Sequence, residues 1–308
     1  MLTAATAPWP DDLGEPQADL LPLTGQTWLV RLYGSRALHR MVPTAVAIPL
    51  AELRGRLEWR VSAARRAQAS RAVQSMRGAS TDAREARELA RRRVVEEAVR
   101  AELEWRPWIW RNVDVEGAEH LHSARRLHDG RLIVATVHLG PYVCLAHVVA
   151  AQGIRPHIIH GDWTSAAALH GRRGRWTFQQ MQSLEEQGGR FVPRGQSYRS
   201  LVALLERGAT CMFALDVRGR EQLRLAGRPV RVRRGVATLA RTTHAPIVPG
   251  LVFRDGSRPK AVFFPPLDPR EFDEPNALTQ RVFDVLGPTV IAHAEQAHAN
   301  LVRLGDLA

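Results

Sequence analysis

The sequence is poor in the residues that build covalent or metal frameworks. Its 308 residues include only two cysteines, Cys144 and Cys211, and both lie in apolar segments without the spacing of a metal site. His157 and His160 make no better pair, because three residues along a predicted strand their side chains point to opposite faces. We therefore expect neither a disulfide framework nor a metal centre. Residues 1–19 also lack the basic and apolar segments of a secretory signal, so none is predicted.

Lysine is nearly absent as well. Lys260 is the single lysine among 43 basic residues, and the net charge is +12. Such an arginine bias is typical of a GC-rich genome, and no known nucleic-acid motif accompanies it. We therefore expect no nucleic-acid partner. A positive surface does favour an anionic membrane or an acidic protein.

One long segment lacks charge altogether. No Asp, Glu, Lys or Arg occurs between Leu132 and Ile154, which is long enough for a transmembrane helix. However, its first half is β-branched, its second half is rich in alanine, and Gly140 and Pro141 stand between them. This pattern favours a buried strand, a tight turn and a helix over a membrane span. His138 then lies at the carboxyl end of the strand, where the ligand crevice of an α/β sheet is found.

Strand and helix patterns alternate along the rest of the chain. The alternation predicts an α/β fold, with a mostly parallel central sheet flanked by helices and with N-terminal amphipathic helices. The predicted strands are 132–137, 154–159, 190–193, 210–215 and 246–253, with 260–264 as a hairpin partner of the last. The predicted helices are 62–105, 141–152, 172–186, 198–207, 235–243 and most of 275–304. Residues 217–234 are predicted as a loop long enough to form a lid or to bind a substrate.

Three regions follow from this pattern. Residues 1–20 are predicted as a poorly ordered leader, 21–105 as an N-terminal helical region and 106–308 as the α/β catalytic domain. Within the helical region, residues 26–60 mix apolar and arginine positions, with breaks predicted at Pro43 and Pro49. This segment either lies on a membrane surface or packs as an ordinary amphipathic helix. The three arginines 91–93 are predicted to form a solvated face.

Several short motifs occur in a characteristic order. Residues 115–121 precede a glycine, an apolar strand and then His-x-Gly at 138–140. The segments 213–216, 227–240 and 243–249 follow. In these motifs the chain resembles the late acyltransferases of lipid A biosynthesis over roughly residues 26–270. The same superfamily includes phosphatidylinositol mannoside acyltransferases and, more distantly, lysophospholipid acyltransferases.

The resemblance implies acyl transfer from a thioester, carried by acyl carrier protein or coenzyme A, to a hydroxyl group. In this family a His-x4-Asp/Glu motif supplies a histidine general base and an acid that orients it. His138 matches the histidine, but Val143 stands where the acid belongs. Pro141 and Tyr142 likewise replace the family's Asn-Trp pair.

Another carboxylate must then orient His138. Asp216 is the best candidate, because it also ends a predicted strand and so can open onto the same crevice. Asp162 and Glu119 are weaker candidates.

Further site residues come from the resemblance and from local chemistry. Arg175 matches an arginine that the family keeps in a helical segment. Its guanidinium could stabilise an oxyanion, and the nearby Arg173 could bind a phosphate. Cys144 falls in the first turn of a predicted helix, where the dipole favours a thiolate, and is an alternative nucleophile. Additional substrate contacts are expected from Gly140, Tyr142 and Arg218.

The resulting prediction is an acyltransferase that acts on a hydroxyl or amine of a lipid, glycolipid or specialised metabolite. The alternative is a catalytically silent homologue that binds lipid or acyl carrier protein. We expect no bound cofactor, since the carrier-protein or coenzyme A thioester is a co-substrate. The expected location is cytoplasmic, peripheral on the inner face of the cell membrane.

Overall fold

The computed structural model describes residues 36–77, 82–160, 180–193 and 198–304. Within them the chain forms a seven-stranded sheet and a separate two-stranded hairpin. The strands are β1 Asp114–Glu116, β2 Leu132–Thr136, β3 Pro156–His160, β4 Arg190–Pro193, β5 Thr210–Ala214, β6 Arg218–Leu225, β7 Arg228–Val232, β8 Ile247–Asp255 and β9 Arg258–Phe263. The helices are α1 Arg36–Met41, α2 Thr44–Val61, α3 Ala63–Arg77, α4 Ala83–Glu104, α5 Ala118–Leu127, α6 Leu145–Ala151, α7 Tyr198–Glu206, α8 Gly235–Thr243, α9 Pro275–Ala292 and α10 Ala299–Arg303.

The main sheet has the strand order β1-β9-β8-β2-β5-β3-β4. Strands β8, β2, β5, β3 and β4 run parallel to one another, whereas β9 is antiparallel to β8. The predicted α/β class and the predicted hairpin partner of β8 are therefore confirmed. Strand β1, which pairs with β9, was not predicted.

The central strands are buried on both faces, which explains their unbroken apolar sequences. On β2, Ile133 and Ala135 enter one apolar cluster, whereas Leu132 and Val134 enter another on the opposite face. The first cluster includes residues of α8 and α9, and the second includes Val95, Val99 and Leu103 of α4. The fold is therefore a sheet between two layers of helices.

The N-terminal helices pack closely on one another. Asp82 caps α4 by accepting hydrogen bonds from the backbone N–H groups of Arg84 and Glu85. Gly55 of α2 lies so near α4 that a Cβ there would stand 2.6 Å from the Cα of Val95. Two sequence predictions are wrong here. Pro49 lies inside α2 and does not end it, and Arg93 is buried, with its guanidinium donating to the carbonyl of Ala297.

The predicted loop 217–234 is in fact the β6–β7 hairpin. Its strands pair antiparallel around Ala226 and Gly227, both with positive φ, as a tight two-residue turn requires. Leu225, Val230 and Val232 point into the core, while the alternating positions face solvent. Arginine at those outer positions obscured the strand alternation in the sequence.

The uncharged segment 132–154 forms a strand, a turn and a helix, as predicted. The predicted helix 141–152 begins with a short 3-10 turn, Tyr142–Cys144, and becomes α-helical only at Leu145. No helix in the described parts of the chain is both long and apolar enough to cross a membrane.

Candidate active site

The register between β2 and β5 brings His138 and Asp216 together. The two strands are parallel neighbours, with Thr136 beside Ala214, and the backbone N–H of Leu215 donates to the carbonyl of Thr136. His138 and Asp216 each follow two residues later. They therefore leave the same edge of the sheet side by side, although 78 residues separate them in the chain.

Asp216 holds both the backbone and the side chain of His138. Its carboxylate oxygens lie 3.0 and 3.1 Å from the backbone nitrogen of His138, and Oδ1 lies 2.7 Å from Nδ1 of the ring. Because a carboxylate oxygen only accepts, Nδ1 carries the proton and Nε2 keeps its lone pair. The Asp216 side chain is fully buried, whereas 11% of the His138 side chain is exposed. The pair therefore presents an oriented imidazole that can take a proton at Nε2.

Val143 has no part in this pair. Its side chain is buried in an apolar cluster with Leu145, Val148 and Phe263. The acid that the His-x4-Asp/Glu motif would supply at this position is absent. The hydrogen bond that such an acid would make to the ring is made by Asp216 instead.

Two aromatic rings border the imidazole of His138. The Tyr142 ring lies 4.1 Å from it, centroid to centroid, and the His298 ring lies 6.0 Å from it. His298 Nε2 is 2.7 Å from the carbonyl oxygen of Gly140 and donates to it. Burial, reinforced by the positive charge of Arg100 and by His138, holds the pKa of His298 well below its usual range. His298 is therefore a neutral ring held beside the imidazole of His138.

The turn that carries His138 is clamped by the chain 296–298. The backbone N–H of Gly140 donates to the carbonyl of Gln296, and the backbone N–H of His298 donates to the carbonyl of His138. Leu139 and Ala297 form the antiparallel bridge between these two bonds. Sequence reasoning missed this clamp, because no short motif marks residues 296–298 and the contact spans 158 residues.

Gly140 has a conformational role in this turn. Its φ is +53°, and a Cβ there would lie 2.5 Å from the carbonyl oxygen of Val252. Only glycine satisfies both conditions. Gly140 and Tyr142 therefore stand where the sequence predicted them, next to His138, and their contact with a substrate stays a prediction.

Five predicted site residues remain, and the structure describes two of them. Arg173, Arg175 and Asp162 lie outside the described residues. Arg218 is exposed on β6, two residues after Asp216, and Glu119 is exposed on α5. The structure thus brings together His138, Asp216, Gly140 and Tyr142, and adds His298.

Cys144 is a poor candidate for a nucleophile. Its thiol is fully buried, and burial, together with the charge of Glu104, raises the pKa of Cys144 well above its usual value. A thiol in such surroundings is inert. Cys144 is the N-cap of α6, but that helix spans only seven residues, and burial outweighs any stabilisation of a thiolate by its dipole.

Two other histidines have structural partners. His147 is buried between Gln180 and Gln187, at 3.1 and 2.8 Å. His157 donates from Nδ1 to the carbonyl of Thr210, and burial lowers the pKa of its ring to about 4. Among the described residues no group of histidine, cysteine and acidic side chains could hold a metal ion.

Comparisons with known proteins identify the family of the chain. A family model described as bacterial lipid A biosynthesis acyltransferase matches residues 20–299. Among solved structures, the chain is similar to the 1-acyl-sn-glycerophosphate (LPA) acyltransferase PlsC from Thermotoga maritima. The identity is 17% and the TM-score 0.41, over 64% of this chain and 80% of that one. No curated protein matches the chain significantly.

Proposed function

The chain belongs to the bacterial lipid A biosynthesis acyltransferase family, and we propose that it uses His138 as a general base in acyl transfer from a thioester. The donor is an acyl group on a carrier protein or on coenzyme A. The acceptor is a hydroxyl or amine of a lipid, a glycolipid or a specialised metabolite. The observation that carries this proposal is the 2.7 Å contact between His138 Nδ1 and the buried carboxylate of Asp216.

The proposed reaction needs one base and no cofactor. Nε2 of His138 removes the proton from the acceptor hydroxyl, and the oxygen attacks the thioester carbonyl. Asp216 keeps the proton on Nδ1 and stabilises the imidazolium that forms. The tetrahedral intermediate then collapses to the ester and expels the thiolate, which receives the proton from His138. Atoms and charge balance without a metal ion or an oxidant.

Arg175 has a proposed part in this reaction. By its resemblance to the family's arginine, it would stabilise the negative oxygen of the tetrahedral intermediate, and Arg173 would bind an anionic group of a substrate. Gly140 and Tyr142 would contact the substrate directly beside the base. Tyr142 is well suited to this, since its ring already lies against the imidazole.

The test is donor consumption by wild type and by the His138→Ala variant. Both proteins are incubated with carrier-protein and coenzyme A thioesters of different chain lengths and with lipid acceptors, while free thiol and product mass are recorded. We expect thiol release and an acylated product from wild type alone. Equal release from both proteins would contradict His138 as the base. Binding of carrier or lipid without turnover, over a panel that includes hydroxyl and amine acceptors, would favour the silent homologue.

We also propose that α2 rests on the membrane surface. Val46, Leu50, Leu53, Leu57 and Val61 recur at helical spacing, and about half or more of each side chain is exposed. The face of α2 that packs on α4 is a different one, made by Ala47, Ala51 and Gly55. An exposed apolar stripe with arginines in the same helix is typical of an interfacial helix. The inner face of the cell membrane is the surface we propose.

Vesicle flotation tests this assignment. Wild type should float with vesicles of phosphatidylglycerol and phosphatidylethanolamine, and the Leu50→Asp/Leu53→Asp variant should stay in solution. Leu127→Asp is the matched control, because Leu127 is 78% exposed but lies on α5. Flotation of the α2 double variant equal to that of wild type would rule out this surface.

A further inference from the structure

The β6–β7 hairpin concentrates the positive charge of the chain. Residues 218–234 contain seven arginines and one glutamate, a net charge of +6, which is half of the net charge of +12 of all 308 residues. Six of these arginines are exposed: Arg218, Arg220, Arg224, Arg231, Arg233 and Arg234. The seventh, Arg228, is partly buried and donates to Ser75 and to the carbonyl of Val302.

These arginines differ from those on the helices. On α2 and α4 many arginines pair with a glutamate about one turn away, such as Arg56 with Glu52 and Arg91 with Glu88. On the hairpin, Arg234 lies 3.7 Å from Glu221, and in the described parts of the chain no carboxylate lies within 4 Å of the other five exposed arginines. The hairpin therefore presents positive charge that the described parts of the chain do not neutralise.

The hairpin packs against the core and starts beside His138 and Asp216. Arg218 follows Asp216 by two residues. Leu225, Val230 and Val232 on the inner face of the hairpin are buried in the core. The side-chain amide of Gln280 on α9 accepts a hydrogen bond from the backbone N–H of Arg224 and donates one to its carbonyl. The outer arginines thus stand on a two-stranded surface that is packed on the core and on α9, and that begins at the carboxyl end of the sheet where the proposed reaction occurs.

The surface has charge without large exposed apolar side chains. The large apolar side chains exposed in the described chain lie on α1, α2, α5 and α7, and none lies on the hairpin. Membrane-binding surfaces combine basic and apolar groups, as α2 does. A surface of arginines alone suits an acidic protein, where charge complementarity guides the encounter.

We propose that the outer face of the β6–β7 hairpin is the docking surface for an acidic carrier protein that delivers the acyl thioester to His138. This inference rests on the proposed function and chooses a protein-borne donor over a free one. The arginines attract the acidic partner over a Debye length of about 10 Å at 0.1 M salt, so association weakens steeply as salt is added.

The test uses acidic acyl carrier protein, in its apo form for binding and in its acyl form for turnover. The variant is Arg220→Glu/Arg224→Glu/Arg231→Glu. The matched control is Arg126→Glu/Arg155→Glu/Arg207→Glu, which makes the same charge change at exposed positions before β2, β3 and β5, at the opposite end of the sheet. Affinity is measured by titration at 50 and 300 mM salt, and folding by thermal unfolding.

We expect the hairpin variant to bind apo carrier protein at least about tenfold more weakly than wild type or the control at 50 mM salt, and the difference to shrink at 300 mM. In turnover, KM for the acyl carrier protein should rise with kcat retained. Since apo carrier binding requires no chemistry, it tests the surface even if no donor is consumed. A lack of all acyl transfer with binding intact would count against the proposed function and not against the surface.

Three results would overturn the inference. The first is equal carrier affinity in the hairpin variant and the control. The second is an equal rise in KM for acyl-coenzyme A, which would make the hairpin a site for a small anionic donor. The third is loss of flotation with anionic vesicles while carrier binding is unchanged, which would make it a membrane surface.

Discussion

Asp216 accepts hydrogen bonds from both the backbone N–H and the ring Nδ1 of His138, at 3.0 and 2.7 Å. The register of β2 and β5 places the two residues side by side at the carboxyl end of the sheet. The hydrogen bond from the backbone N–H of His138 holds the carboxylate of Asp216 in place, independently of the bond from the ring. The orientation of His138 is thus independent of position 143. Although the acid of the His-x4-Asp/Glu motif is lost, His138 therefore keeps an orienting carboxylate.

Restoring an acid at position 143 should therefore bring no gain. Val143 is 6% exposed in an apolar cluster, and the Nδ1–H of His138 already donates a hydrogen bond to Asp216. We expect Val143→Glu to destabilise the fold by roughly 2 kcal/mol or more, because a carboxyl group is buried without a partner, and to leave the rate no higher than in wild type. Urea unfolding and acyl transfer check this, with Val143→Leu as the apolar control. A faster Val143→Glu enzyme would show that Asp216 does not suffice.

The clamp on the catalytic turn can be tested at His298. Its Nε2 donates to the carbonyl of Gly140, and its ring lies 6.0 Å from that of His138. We expect His298→Ala to lower kcat at least about tenfold with a small change in KM, since a misplaced base slows the chemical step more than binding. His298→Gln keeps an amide donor for Gly140 and should recover much of the rate. An alanine variant with the wild-type kcat would remove His298 from the positioning of the base.

Gly140 should tolerate no side chain. Gly140→Ala combines a φ of +53° with a Cβ 2.5 Å from the carbonyl oxygen of Val252. Gly153 is the matched control, because its φ is +74° and its Cβ would meet nothing within 4 Å. Thermal and urea unfolding should show a loss of about 1 kcal/mol for Gly153→Ala and a clearly larger loss for Gly140→Ala. Equal losses of stability in the two variants would mean that the turn can shift to accommodate a side chain at position 140.

Glu104 makes the stability of the fold depend on pH. Burial raises the pKa of Glu104 to about 7, and Arg100 opposes this shift. An acid whose pKa is raised in the folded state holds its proton better there than in the unfolded chain. Its contribution to stability is therefore greatest below pH 4.5 and is lost as pH rises through 7.

We expect Glu104→Gln to stabilise the protein at pH 8, by an amount on the order of 1–3 kcal/mol, and to change it little at pH 5. Urea unfolding of both proteins at the two pH values measures this, and pH 5 is the internal control. A variant that is equally destabilised at both values would show that the charge of Glu104 is not the cause.

The sheet and the pairing of His138 with Asp216 could be predicted from the sequence, because their signals are local. Central strands buried on both faces are unbroken apolar runs, and the Gly-Pro step after His138 marks the end of β2. Parallel strands share their carboxyl edge, so Asp216 followed from its place after β5. Each of these inferences needed only neighbouring residues and one rule of topology.

The features that were missed depend on contacts between distant residues. The outward positions of β6 and β7 carry arginine, so alternation was obscured, and Ala226 is an unusual residue at a positive φ. Arg93 stands in a run of three arginines. It is buried because it lies on the face of α4 that packs against Ala297, and the run itself does not indicate this. The bonds from His298 to the turn at Gly140 likewise join segments that no local pattern relates.

The most direct test of the account is the rate of acyl transfer by Asp216→Asn with a thioester donor that wild type consumes. Asparagine keeps the shape of the side chain but turns an amide toward Nδ1, which favours the tautomer that lacks a free Nε2. We predict a fall in kcat of about 10³–10⁴ with donor binding retained, comparable to the loss of the orienting acid in a catalytic triad. A variant that transfers acyl groups within tenfold of wild type would contradict the pairing of His138 with Asp216 as the source of the base.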